Sequence, residues 1–250
     1  MNKIVIPVPP TDFDPTEAAV TWKMLTQNGI QVVFSTPSAQ VAIGDQRMVT
    51  GDGLGVWSAL LRADQNGRRA YDEMIISDEF KHPIRWDDIR VQDFDGIVLP
   101  GGHAPGMKVY LESEVLQNRI CEFFSANKLV GAICHGTVLV ARSKDAAGTS
   151  MLDGRQSTAL LRAQEMTAWA ITCPWLKNYY RTYPESVQAE VSRSLGKNGR
   201  FISGPMPFTR DSPQKMENGF VVIDRNYISA RWPGDAHLFG RTLVKSLTGP

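Results

Sequence analysis

Cys134 and His135 stand side by side in the stretch Leu129-Val-Gly-Ala-Ile-Cys-His-Gly-Thr-Val-Leu-Val140, a thiol and an imidazole behind one apolar run and ahead of another. A thiol attacks electrophiles as its thiolate, and with an ordinary pKa near ~8.5 only about 3% of it is ionised at pH 7. The run into Cys134 predicts a buried strand, and Gly136-Thr137 beyond it predicts a sharp entry into a helix. A residue on such a strand-to-helix elbow lies at the carboxyl edge of a sheet, facing backbone amides and the positive end of the helix. Those surroundings predict a thiol lowered to about 5.5, hence a standing thiolate nucleophile. A buried cysteine is also an ordinary packing residue. His135, bulky and polar where a buried turn favours small residues, and Gly136, which permits a tight backbone, favour the nucleophile.

Two other groups could serve it. Glu17 falls in the first turn of a predicted helix just past the first strand, where open α/β sheets place ligands. The helix dipole favours an acid there as well, and the two readings stand level. Gly101-Gly102-His103 follows another buried strand, Gly96-Ile-Val-Leu-Pro100. Its glycines would let backbone amides approach a reacting oxyanion, although a plain glycine turn has the same composition. Neither GxGxxG nor GxxxxGK[ST] is present, which argues against a nucleotide site.

The elements that must position these groups alternate. Lys3–Val8 predicts a strand buried on both faces. Asp14 and Pro15 open a helix to about Gln27 with Ala18, Trp22 and Leu25 inward, and Gln31–Ser35 is the next strand. This βαβ beginning implies a parallel sheet covered by helices. Residues 39–90 are looser, with helices expected at 56–62 and 69–76 and a polar connection at 87–94. Residues 113–127 predict an amphipathic helix leading into the elbow strand, with Leu116, Ile120, Phe123 and Phe124 inward. A short strand is expected at 156–160 and Glu165 lies beyond it. Residues 168–206 concentrate aromatics around a helix at about 184–195 and predict an insertion over the carboxyl edge of the sheet. Strands at 219–224 and 227–231 and a helix from Asp235 close the chain. The fold class expected is α/β, a mostly parallel central sheet sandwiched by helices, as one domain over 1–250.

A net charge of +1 offers no general attraction to nucleic acid or to an anionic membrane. No stretch approaches the ~20 apolar residues of a membrane span, and the amino terminus lacks a signal-peptide pattern. Three cysteines, Cys121, Cys134 and Cys173, without paired spacing suggest neither a disulfide framework nor structural zinc. A cytoplasmic location is expected.

Taken in order, Asp95-Gly-Ile-Val-Leu-Pro-Gly-Gly-His103, Ala132-Ile-Cys-His-Gly136, and Asp224-Arg-Asn-Tyr-Ile-Ser229 followed by Pro233-Gly-Asp-Ala236 resemble the ThiJ/PfpI superfamily, with its class I glutamine amidotransferase-like, flavodoxin-like fold. The resemblance covers nearly the whole chain. Pro15-Thr-Glu17 is similar to the branch of heat-shock chaperones and cofactor-independent glyoxalases. That resemblance implies Cys134 as nucleophile, His135 as general base, Glu17 as the carboxyl that contacts the thiol and relays a proton, and Glu165 as the acid orienting the histidine. It also implies an oxyanion site at Gly101, Gly102 and His103. The elbow lacks the Gly-x-Cys of true glutamine amidotransferases, and Leu238-Phe239 follows His237 where they carry His-x-Glu. Metal-binding members need a histidine near the amino-terminal acid, and the first here is His82, so no metal and no cofactor are expected. The chemistry implied is cofactor-independent conversion of a 2-oxoaldehyde to a 2-hydroxy acid, or a related deglycase activity. A cysteine amidase, peptidase or isonitrile-type hydratase, and a redox-sensing or holdase protein without turnover, are the alternatives. A small carbonyl substrate and a homodimer are the expected partners.

Overall fold

The structure is a computed structural model and describes residues 2–249. Its centre is a seven-stranded sheet in the order Val221–Asp224, Tyr227–Ala230, Leu129–Ile133, Gly96–Leu99, Lys3–Pro7, Gln31–Thr36, Ile84–Arg85. Every neighbouring pair is parallel except the first, a hairpin turning at Arg225 with φ 58°. Gly96–Leu99 and Leu129–Ile133 are buried at every position, which is why their sequences are apolar throughout rather than alternating.

Two helical layers cover the sheet. Pro15–Gln27 packs against Gln65–Ile76 and Ala236–Thr248, while Glu114–Ser125, Gly136–Arg142 and Val187–Ser194 form the other group. Close approach needs missing side chains: a Cβ on Gly131 would meet Leu243 at 2.7 Å, and one on Gly240 would meet Met24 at 2.8 Å. The fold is the mostly parallel flavodoxin-like α/β sandwich expected.

The chain reverses its direction of travel across the sheet between Lys3–Pro7 and Gly96–Leu99. From the first it steps outward to Gln31–Thr36, and from the second it steps the other way to Leu129–Ile133. A crevice opens at the carboxyl ends of such a strand pair.

Short elements depart from expectation. Thr11–Phe13 pairs with Ile43–Gly44, and Ile84–Arg85 adds an edge strand; strands this brief carry no readable alternation. The strand expected at 156–160 is only Gln156–Ser157, because the Thr158 amide leaves the ladder for Ser229 Oγ at 3.0 Å. The insertion carries a helix that was not expected, Arg162–Leu176, and the helix expected at about 184–195 is Val187–Ser194, where Ser186 caps the Ala189 amide. Among the described residues no helix is long and apolar enough to cross a membrane.

Candidate active site

Cys134 is the first residue past the Leu129–Ile133 strand. Its amide still donates to Ala230 O at 3.1 Å, and then the chain turns with Cys134 at φ 57°. A non-glycine residue in this left-handed region costs roughly 1–2 kcal/mol, so surrounding contacts must hold it. Thr137 Oγ1 donates to Cys134 O at 2.6 Å, and a Cβ on Gly136 would sit 2.1 Å from Leu99 O. The elbow is therefore wedged between two strand ends. Cys134 itself is 3% exposed.

Glu17 reaches the elbow from the first helix. Asp14 caps that helix, accepting from Thr16 N at 2.8 Å and Glu17 N at 3.0 Å, while the Asp14 amide donates to Gly101 O at 2.8 Å. The Gly101 amide returns the link to Glu17 Oε2 at 2.7 Å. Gly101 fills the gap between these elements, since a Cβ there would lie 2.6 Å from His135 N and 2.9 Å from both Cys134 Cβ and Glu17 Oε2. The Gly101 amide is thus engaged by Glu17, whereas the Gly102 amide donates to no protein group among the described residues. The His135 amide faces the thiol.

The charges here differ from the sequence expectation. Burial, then the Glu17 and Asp14 carboxyls, push the Cys134 thiol well up rather than down. Burial and Asp14 likewise raise Glu17 well above the carboxylate range, with the Gly101 amide and the thiol opposing. Burial also raises Asp14, to about 6. The helix beyond the elbow is only seven residues, Gly136–Arg142, and its field is too small to offset two carboxyls in a dry pocket. Both Cys134 and Glu17 are thereby biased toward their protonated, uncharged forms, and Glu17 Oε1 is buried without a hydrogen-bond partner among the described residues.

His135 places Nδ1 3.5 Å from Cys134 Sγ and Nε2 3.4 Å from Thr182 Oγ1. The Thr182 hydroxyl donates its proton to His103 O at 2.8 Å, so toward the imidazole it can only accept. Nε2 then carries the ring proton and the Nδ1 lone pair faces the sulfur. Burial, His103 and Arg142 lower His135 to about 3, which leaves it neutral and a weak proton acceptor.

Glu165 does not join this chain of contacts. Its Oε2 accepts the Val187 amide at 3.0 Å, from the other insertion helix, and no hydrogen bond links it to His135. Thr182 occupies the place at the imidazole that the resemblance gave to Glu165. No motif marks Thr182; it lies in Tyr179-Tyr-Arg-Thr-Tyr183, where aromatic composition is the visible signal. His103 stacks on Tyr180 with ring centroids 4.0 Å apart, and burial lowers it to about 4. His237 pairs with Asp211 Oδ1 at 3.0 Å, outside the Cys134 cavity.

A cavity of about 400 Å³ opens onto Cys134, with Asp14, His103, Glu165, Tyr180 and Arg210 among its lining. Burial raises Glu165 there to about 7, with the Val187 amide and Arg181 opposing. A second cavity of about 740 Å³, lined by Lys108, Arg181, Tyr183 and others, lies across His103 and Thr182. Among the described residues no group of three or more His, Cys, Asp or Glu side chains is arranged to hold a metal ion.

The sequence model of the ThiJ/PfpI family-like proteins matches residues 8–205. An uncharacterised Schizosaccharomyces pombe protein is 26% identical over 149 residues, 56% of this chain and 54% of that protein, so the match spans about half the length of this relative. A deglycase of Thermococcus kodakarensis is 27% identical over 166 residues, covering 66% and 69% of the two chains. A probable glutathione-independent glyoxalase of Schizosaccharomyces pombe is 22% identical over 233 residues, 92% of each chain. Among solved structures, glyoxalase III from Candida albicans superposes with a TM-score of 0.68 at 14% identity, covering 100% of this chain and 98% of that one. At that identity the superposition speaks for the fold alone.

Proposed function

Starting from a chain that belongs to the ThiJ/PfpI family-like proteins, we propose a cofactor-independent thiol enzyme that converts a 2-oxoaldehyde to a 2-hydroxy acid, with Cys134 as nucleophile. The observation that carries this reading is the Cys134 elbow, held at φ 57° beside Glu17 on the floor of a cavity. Relatives named deglycase and probable glyoxalase support it.

Cys134 Sγ bonds to the aldehyde carbon, the carbonyl electrons move onto oxygen, and the thiol proton ends there, giving a hemithioacetal. The amides of Gly102 and His135 remain for the developing oxyanion. A base then takes the proton from the former aldehyde carbon and returns one to the neighbouring carbon. The first carbon becomes a thioester and the second a carbinol. Water adds to the thioester, the C–S bond breaks, and the sulfur recovers its proton. The sum is addition of one water, with no external oxidant or reductant.

Glu17 is the better candidate for that base. Its proton affinity is raised, while that of His135 is lowered to about 3, and a base far below the working pH transfers protons poorly. His135, fixed by Thr182, positions the sulfur. Glu165 is assigned to the cavity wall, where a carboxyl near 7 can exchange a proton with bound water or product. Methylglyoxal with purified protein tests the whole scheme. Lactate is expected from the wild type and none from Cys134→Ala; equal lactate from both would end the reading.

A further inference from the structure

The cavity above Cys134 is chemically lopsided. Leu61, Ile171 and Trp232 line its wall, and Leu60, Met206 and Phe208 line it nearer the solvent. The last three are 61%, 57% and 85% exposed, a concentration of large apolar side chains at one opening. Scattered exposed hydrophobics are ordinary, whereas several on the rim of one pocket mark a contact site. The rim is anchored too: the Arg231 guanidinium holds Ser203 O and Pro205 O, just before Met206 and Phe208.

The polar groups lining the cavity are partly engaged by the protein and partly free: His103 Nε2, Gln164 Oε1, Arg210 Nη1 and Trp232 Nε1 are buried without a hydrogen-bond partner among the described residues, a small set of anchors in an otherwise apolar wall. Arg210 donates to Leu60 O and Arg62 O and stacks over Trp232 at 5.4 Å, and Glu165 holds the Val187 amide. A volume of about 400 Å³ belongs to the class that takes ligands with a substantial apolar body and a few polar anchors. Methylglyoxal would touch only the floor and leave the apolar walls wet.

We infer that the carbonyl substrate carries an extended alkyl or aryl group, seated against Ile171 and Trp232 and leaving past Leu60, Met206 and Phe208, with its aldehyde at Cys134. This rests on the thiol-enzyme reading above and names its substrate class.

A homologous series from methylglyoxal to hexylglyoxal keeps the electrophile constant and varies only the tail. The expected result is a kcat/KM rising roughly threefold per added methylene over the first members, with the slope flattened in Leu60→Ser/Phe208→Ser. A flat or falling series overturns the inference while leaving the thiol enzyme standing. Should no member turn over, the enzyme reading fails, and the pocket is then judged by an unreactive pair, acetone and heptan-2-one. Each is titrated as protection of Cys134 against iodoacetamide, read by peptide mass so that Cys134 is told apart from the free Cys121 and Cys173. Heptan-2-one is expected to protect at a concentration at least tenfold lower; equal protection overturns the inference. A change of solution mass in Leu60→Ser/Phe208→Ser with an unchanged slope also overturns it, assigning the rim to contact between copies of the chain.

Discussion

At the scale of single residues, the site depends on one missing side chain and one hydroxyl. Gly101→Ala would push a methyl against His135 N, Cys134 Cβ and Glu17 Oε2 together, two of them backbone or near-backbone atoms with little freedom to yield. We expect a loss of about 1–3 kcal/mol in urea unfolding, in line with overpacking elsewhere, and loss of turnover. Thr182→Val keeps the shape and removes the acceptor for the imidazole proton. A misaligned ring predicts kcat lower by roughly ten- to hundredfold with KM little changed, and Thr182→Ser restoring most of it. A purely structural role would move unfolding midpoints and leave that split untouched. Cys134 was legible because a thiol, an imidazole and a glycine interrupt an apolar strand, and Glu17 because a helix start follows another strand. Thr182 was hidden: a threonine amid tyrosines has no spacing that points to a histidine 47 residues away. The proton balance was hidden as well, since burial and two facing carboxyls are products of folding.

At the scale of elements, the long strands and the main helices were readable because each carries a period over enough residues, and the two-residue strands were not. Ser203–Phe208 has no such pattern, and its placement is owed to one buried ion pair. Arg231 and Asp235 are both fully buried, with Nε–Oδ2 and Nη2–Oδ1 each at 2.9 Å, and Asp235 also accepts the Phe220 and Arg231 amides. Removing one partner strands the other's charge. Arg231→Met is expected to cost about 3–5 kcal/mol in denaturant unfolding, and Arg231→Met/Asp235→Leu to recover a large part of that. If the single and double variants were equally unstable, the pair would matter for shape rather than charge.

At the scale of the whole molecule, the strands of one sheet come from residues 3 to 230, and we propose that the chain unfolds as one unit. A single calorimetric transition with matching van't Hoff and calorimetric enthalpies is the expected result. Stability should also bend with pH. Glu165 is raised from an ordinary 4.5 to about 7, so between those values the folded chain holds a proton that the unfolded chain has lost. Its contribution is therefore largest below about pH 4.5, declines as pH rises toward 7, and is flat beyond. Glu165→Gln retains an acceptor for Val187 N and should remove that part of the slope, seen as a smaller fall in Tm between pH 5 and 7. An unchanged slope would place the titration elsewhere, with Asp14 the next group to test. The homodimer implied by the family resemblance is checked by solution mass on the same samples.

The strand order also dictates when the thiol becomes sheltered as the chain is made. Lys3–Pro7 finds Gln31–Thr36 early but waits for Gly96–Leu99, and the Leu129–Ile133 strand keeps an open edge until Tyr227–Ala230 has emerged to accept the Cys134 amide. Thr182 and Trp232 arrive later than the cysteine they enclose. For the interval of translation between residues 134 and about 230, Cys134 is an unshielded side chain on an unfinished sheet. Peroxide present during synthesis is therefore expected to oxidise Cys134 to a greater extent than the same dose given to the folded protein, read by peptide mass.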